Sequence, residues 1–210
     1  MALDKKFIDR LIEYATSPNY QEELIRAKDY YNKIPGKVHD DEPSFENRMN
    51  LFINWYIFDW IITEERITFV ELFYRENETT FNDEELRIYS DLRYTLHSLF
   101  ILEKRIKKED VFLSDIFNNS QYDIFDSNEN LGIEEDDLFE ARIIPYNNQL
   151  LFAPGFCIHP LEIITEIKKF IKKNNCWTKE DRFLFIQKLS AMKLKMDRYK
   201  HLSIDEIYEV

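Results

Sequence analysis

Between Phe45 and Ile61 the chain sets Phe45, Met49, Phe52, Ile53, Tyr56, Ile57, Trp60 and Ile61 at steps of three and four. That spacing winds into one wide apolar stripe on a single helix, as a helix at the centre of a core requires. The aromatic supply suits a dense interior, with 17 Phe and 12 Tyr against only 3 Gly. So few glycines argue against Gly-rich phosphate loops and for a mostly helical chain. At 210 residues the chain is long enough for one large domain or two small ones. No repeat or low-complexity linker divides it, so one domain over residues 1–210 is the economical reading.

The N-terminal region, residues 1–97, reads as helical. Leu3, Phe7, Ile8, Leu11 and Ile12 share a face, Ser17-Pro18-Asn19 breaks that helix, and Leu24, Ile25, Tyr30 and Tyr31 mark a second one ending at Pro35-Gly36. The polar stretch Lys37 to Pro43 reads as a surface loop, after which Ser44 can cap the aromatic helix. Thr68 with Glu71, and Asn82 with Glu85, have capping-box spacing before helices, the second running to about Leu96.

Residues 98–157 change character. Leu99–Ile106, Val111–Asp115, Tyr122–Phe125, Leu138–Ile144 and Leu150–Phe156 are short β-rich runs. Turn signals separate them at Lys107-Lys108-Glu109-Asp110, Asn118-Asn119-Ser120, Asn128 to Gly132 and Asn147-Asn148. The first run could also extend the preceding helix; it is read here as a strand. Residues 158–210 return to helix, with Pro160 at a first helical position and Leu161, Ile164, Ile167 and Ile171 on one face. Thr178 with Asp181 caps a helix bearing Phe183, Ile186, Leu189 and Met196, and Ser203 with Glu206 caps a last turn before Ile207 and Tyr208. The expected fold is α+β: predominantly helical, with a small antiparallel sheet or barrel at about residues 99–157.

A net charge of −12 repels nucleic-acid backbone and anionic membrane, so neither is an expected partner. Lys168, Lys169, Lys172, Lys173 and Lys179 form the best local basic patch, read as a solvated helix face. Cys157 and Cys176 lack zinc spacing and are too few for a disulfide framework; buried thiols in a reducing compartment are the simple account. MALDKKFIDR has no apolar run of signal-peptide length and no segment has the composition of a membrane span, so the expected location is the cytoplasm.

Few places invite chemistry. Cys157-Ile158-His159 sets a thiol and an imidazole two residues apart, on one face if the segment is a strand. A nucleophilic pair is conceivable, but a buried Cys closing a strand with His159 capping the next helix is preferred. His39-Asp40-Asp41-Glu42 has cation-binding groups without the ligand alternation or turn glycine of a calcium loop, and reads as a solvated acidic loop. Glu134-Glu135-Asp136-Asp137 reads as a charged turn entering the strand at Leu138. Glu140 and Arg142 should project from the face opposite Ala141, and Arg142 among apolar neighbours invites pairing with Asp115 or Asp59. Trp55 and Trp60 have the helical spacing of core rather than of a base-stacking platform, and Tyr199, His201 and Tyr208 could face a partner or pack a tail. No GxSxG, HExxH, GxxxxGK[ST] or GxGxxG occurs.

Several segments in order carry a family resemblance: His39-Asp40-Asp41-Glu42-Pro43, Phe45-Glu46-Asn47-Arg48-Met49 running into Phe52 to Asp59, Ser98-Leu99-Phe100, and Leu113-Ser114-Asp115-Ile116. Phe139-Glu140-Ala141-Arg142, Phe156-Cys157-Ile158-His159-Pro160, Arg198-Tyr199-Lys200-His201 and Ile207-Tyr208 continue it. Together they resemble an uncharacterised bacterial family of deltaproteobacterial type, distantly like the N-terminal part of some SEC-C-motif proteins. The resemblance implies a coherent fold and no catalytic residues, and without a Cys-rich tail it implies no zinc. The functional expectation is a non-enzymatic interaction or regulatory protein with a protein partner, no metal and no cofactor, binding near Asp40, Asp41, Arg142 and His159. The alternative is an enzyme or metal site built from His39, Asp41, Cys157 and His159.

Overall fold

The computed structural model describes residues 5–106, 110–125, 132–174 and 176–208. Leu3, the turn residues 107–109 and most of the turn expected at Asn128 to Gly132 lie outside these.

Five helices form the N-terminal layer: α1 (Lys5–Ala15), α2 (Gln21–Tyr31), α3 (Phe45–Phe58), α4 (Phe69–Asn77) and α5 (Asp83–Asp91). Their starts follow the capping rules only in part. Asn82 and Glu85 form a full reciprocal box, but at Thr68 only half forms, because the Glu71 carboxylate turns instead to Arg93 at 2.6 Å. Ser44 makes no side-chain cap at all. The aromatic helix also departs from a single stripe. It ends at Phe58, and Arg48, Leu51, Asn54, Trp55 and Phe58 are buried along with Phe52, Tyr56 and Ile57. The cause is its position: α1, α2 and α4 pack on it, Phe183 stacks on Trp55 at 5.0 Å, and Asp59 just past its end reaches the sheet. A helix covered on most sides is buried beyond one stripe.

The sheet follows, with β1 (Leu96–Ile106), β2 (Asp110–Asp115), β3 (Gln121–Phe125), β4 (Leu138–Tyr146), β5 (Gln149–Phe152) and β6 (Cys157–His159). All pairings are antiparallel, in the order β3-β2-β1-β4-β5, with β6 joining the first half of β4 beside β5 on its second half. The ambiguous run at Leu99 is therefore strand and begins at Leu96. The sheet curls until its edge strands β3 and β5 meet, making a half-barrel filled by Phe100, Leu113, Phe139, Ile143 and their neighbours.

The run expected as one strand over Leu150–Phe156 is broken, and Pro154-Gly155 breaks it. Gly155 adopts φ +98°, and a Cβ there would lie 2.9 Å from Asn50 Cβ and from the Leu51 amide nitrogen of α3. Only glycine tolerates both the left-handed backbone and the contact. Around it Asn54 donates to the Pro154 carbonyl at 2.7 Å and the Phe156 amide donates to Asn47 at 3.4 Å, so this loop fastens the sheet to α3.

The C-terminal helices α6 (Ile164–Lys173), α7 (Lys179–Arg198) and α8 (Ile204–Ile207) pack on the same outer face of the sheet, against Leu99, Ile101 and Leu138. Pro160 precedes a short 3-10 turn rather than opening α6 itself. Thr178 and Ser203 form the expected reciprocal caps. Lys168, Lys169, Lys172 and Lys173 are exposed on α6. The acidic turn before β4 is more structured than a solvated charge run: Glu135 accepts from the Arg105 amide and Asp137 from the Glu134 amide.

Candidate functional site

Strand pleating sends Leu138, Glu140, Arg142 and Ile144 of β4 toward the helices, so two charged side chains enter an apolar layer. Arg142, 1% exposed, donates to Asp59 and, at 2.8 Å, to Thr95, with its guanidinium over the Phe58 ring. Lys179 adds a second cation 2.7 Å from the other Asp59 oxygen. Desolvation pushes the Asp59 pKa up, but the charges of Arg142 and Lys179 outweigh it and hold the carboxyl below its ordinary value. Of the two carboxylates the sequence offered to Arg142, Asp59 is the partner. Asp115 is buried elsewhere, accepting from the Phe117 amide at 2.8 Å, and its burial raises its pKa.

Glu140 is fully buried. One oxygen lies 2.9 Å from His97 Nε2 and the other accepts from Ser190 Oγ at 2.7 Å. Here too desolvation raises the pKa, and the bonds and charges of His97, Arg48 and Ser190 reverse it, keeping Glu140 ionised. A seam of pairs therefore joins β4 to α3 and α7. Gln187 and Ser190 were missed as seam members, although the signal was present. Phe183, Gln187, Ser190 and Leu194 recur at core spacing, so two polar residues occupy core positions of α7. Glu23 gave no such signal; it is 5% exposed and accepts from the Trp60 indole at 2.8 Å.

Two clefts flank the seam. The larger, about 790 Å³, opens between α2, the end of α3, the start of β1 and the first turns of α7. Tyr30, Trp55, Trp60, Trp177 and Phe183 line it, with Ile61 at its mouth 52% exposed. Tyr30, Trp55 and Phe183 stack with interplanar angles of 5° and 12°. The Tyr30 hydroxyl donates to Glu180 at 2.5 Å, which together with burial pushes its pKa up to about 12. Trp55 is core as its spacing implied, whereas Trp60 and Tyr30 are partly exposed.

The smaller cleft, about 640 Å³, lies between the start of α3, β6 and the end of α7. Asp41 and Cys157 both line it, so the acidic loop does fold toward the end of the sheet. His39 is exposed and His159 buried, and among the described residues no three His, Cys, Asp or Glu side chains are grouped to hold a metal ion. Burial pushes the Cys157 thiol up to about 12 and the His159 imidazole down to about 4, so near neutral pH the pair is a thiol and a neutral ring. His159 does not cap the following helix. Its Nδ1 faces the Tyr208 hydroxyl at 3.4 Å, which takes Tyr208 into the interior and leaves Tyr199 and His201 outside. Asp40 is exposed, and Glu42 is taken by Arg198 at 2.7 Å, whose hydrogen bonds hold its carboxyl at about 2. The four expected binding residues are thus two surface acids, one seam member and one enclosed imidazole.

No helix among the described residues is long and apolar enough to cross a membrane. No curated protein and no solved structure matches the chain. A family model does match, over residues 3–193, and the chain belongs to that family, a family of unknown function (DUF7986).

Proposed function

We propose that this is a non-enzymatic regulatory or adaptor protein of the bacterial cytoplasm and that its partner is another protein, docking an extended apolar segment into the aromatic cleft. The observation that carries this reading is the state of the polar groups around that cleft. Asp59, Lys179 and Glu180 are already bonded, so beside the Arg182 guanidinium the cleft offers a newcomer mainly aromatic and aliphatic surface: Tyr30, Trp60, Trp177 and Ile61. Aromatic-lined grooves suit extended peptide segments, whose binding is specified by ring contacts rather than by chemistry on the ligand. The protonated Cys157 and neutral His159 supply no activated nucleophile, which agrees with a binding role. The acidic total charge favours a basic partner through long-range attraction.

The test is parallel capture from native cells with the wild-type protein and with Ile61→Asp, a substitution at an exposed position that leaves the core untouched. The reading expects a stoichiometric partner retained by the wild type and lost by the variant. Equal retention by both proteins, or no partner at all, would count against it.

A further inference from the structure

The second cleft holds a buried cation that makes no ion pair among the described residues. Arg48 lines it, is 6% exposed, and has no carboxylate within 4.0 Å among the described residues. Among the described residues its guanidinium makes one hydrogen bond, a long contact of 3.4 Å from Nη2 to Gln187, its Nη1 has no partner, and the Tyr31 ring lies 4.7 Å from the guanidinium carbon. Glu140, whose ionised form Arg48 helps to hold, stands beyond ion-pair distance and is engaged by His97 and Ser190. An enclosed guanidinium without an ion pair is costly, by several kcal/mol in general.

A second feature points the same way. The cleft wall at Ser44 and Asn47 is the N-terminal end of the 14-residue α3, where Ser44 provides no side-chain cap. Helix N-termini favour negative charge. The other charges settle which anion fits. Arg198 is paired with Glu42 and Lys193 with Asp197, which leaves Arg48, Lys200 and Asp41 as the charged lining residues that make no ion pair among the described residues. Two cations against one anion leave a single positive charge, and Phe156, Ile158 and Leu194 supply apolar wall beside it.

We propose that this cleft binds a small organic monocarboxylate, its carboxylate on Arg48 and its hydrocarbon body against Phe156, Ile158 and Leu194. A planar guanidinium matches a carboxylate's geometry, and Asp41 disfavours a dianion such as phosphate. The site is separate from the aromatic cleft and does not rest on the function proposed there.

The experiment is calorimetric and thermal-shift titration of the full chain with sodium hexanoate, with hexanamide and inorganic phosphate as controls. Hexanoate should bind and raise the melting temperature, while the neutral amide and phosphate should do neither. Arg48→Met should weaken hexanoate binding by about tenfold or more, the loss of one charge-assisted hydrogen bond. Should that variant fail to fold, Lys200→Glu, at an exposed position, should weaken binding several-fold on its own. Ile61→Asp should bind hexanoate like the wild type. Equal binding of hexanoate and hexanamide, unchanged affinity in Arg48→Met or Lys200→Glu, or no binding up to about 10 mM, beyond the weakest range expected of an anchored anion, would each overturn the assignment.

Discussion

The two faces of β4 are built by different physics. Toward the half-barrel, Phe139, Ala141 and Ile143 meet Phe100, Leu113 and other apolar side chains, and removal from water alone holds them. Toward the helices, Glu140 and Arg142 sit between Leu138 and Ile144, and each must meet particular partners or be left as a buried charge. Any apolar side chain of suitable volume would serve on the first face. The second admits one arrangement of α3 and α7, because only that arrangement brings Asp59 to Arg142 and Ser190 to Glu140.

The largest expected effect on the apolar face is Phe139→Ala, which should cost about 3–5 kcal/mol in urea unfolding and be insensitive to salt. A smaller loss, or a marked salt dependence, would blur the contrast between the faces. Next comes pH. The folded protein holds His159 down to about 4 against 6.5 in the unfolded chain, so the unfolded state takes the proton first as pH falls. The contribution is whole above pH 6.5, is lost toward pH 4, and amounts to about 3 kcal/mol. His159→Phe should lack that portion of the acid destabilisation, read as the difference in unfolding midpoint between pH 7 and pH 4 for variant and wild type.

Gly155→Ala tests the loop that fastens the sheet to α3. A left-handed backbone plus a contact with backbone should cost about 2–3 kcal/mol. Gly36→Ala has the same backbone strain and open space around it, so it should cost about 1 kcal/mol. Equal losses would mean that the close approach to α3 carries no energy. The smallest effect belongs to Ile61→Asp, within about 0.5 kcal/mol of wild type in stability, although the proposed function expects it to abolish partner capture.

Much of the sheet was legible in the sequence, because short β-rich runs with turn residues between them and the caps at Asn82, Thr178 and Ser203 are local properties. The direction of Glu140 and Arg142 was legible for the same reason. Which carboxylate met Arg142 was not, since Asp59 and Asp115 differ only in where the chain carries them. The break at Gly155 had a signal in the Pro154-Gly155 pair, and the seam had one in Gln187 and Ser190 at core positions of α7. The aromatic cleft had none: Tyr30, Trp60 and Trp177 come from three distant segments, and only packing brings them together.

The most direct test of the account is a double-mutant cycle on Arg142→Met and Asp59→Asn, measured by urea unfolding. Each single change leaves a buried charge short of its partner and should cost about 3–5 kcal/mol. The double variant should recover a coupling energy of about 2 kcal/mol or more. Single losses below about 1 kcal/mol, or losses that simply add, would contradict the claim that paired charges on β4 fix the sheet against the helices.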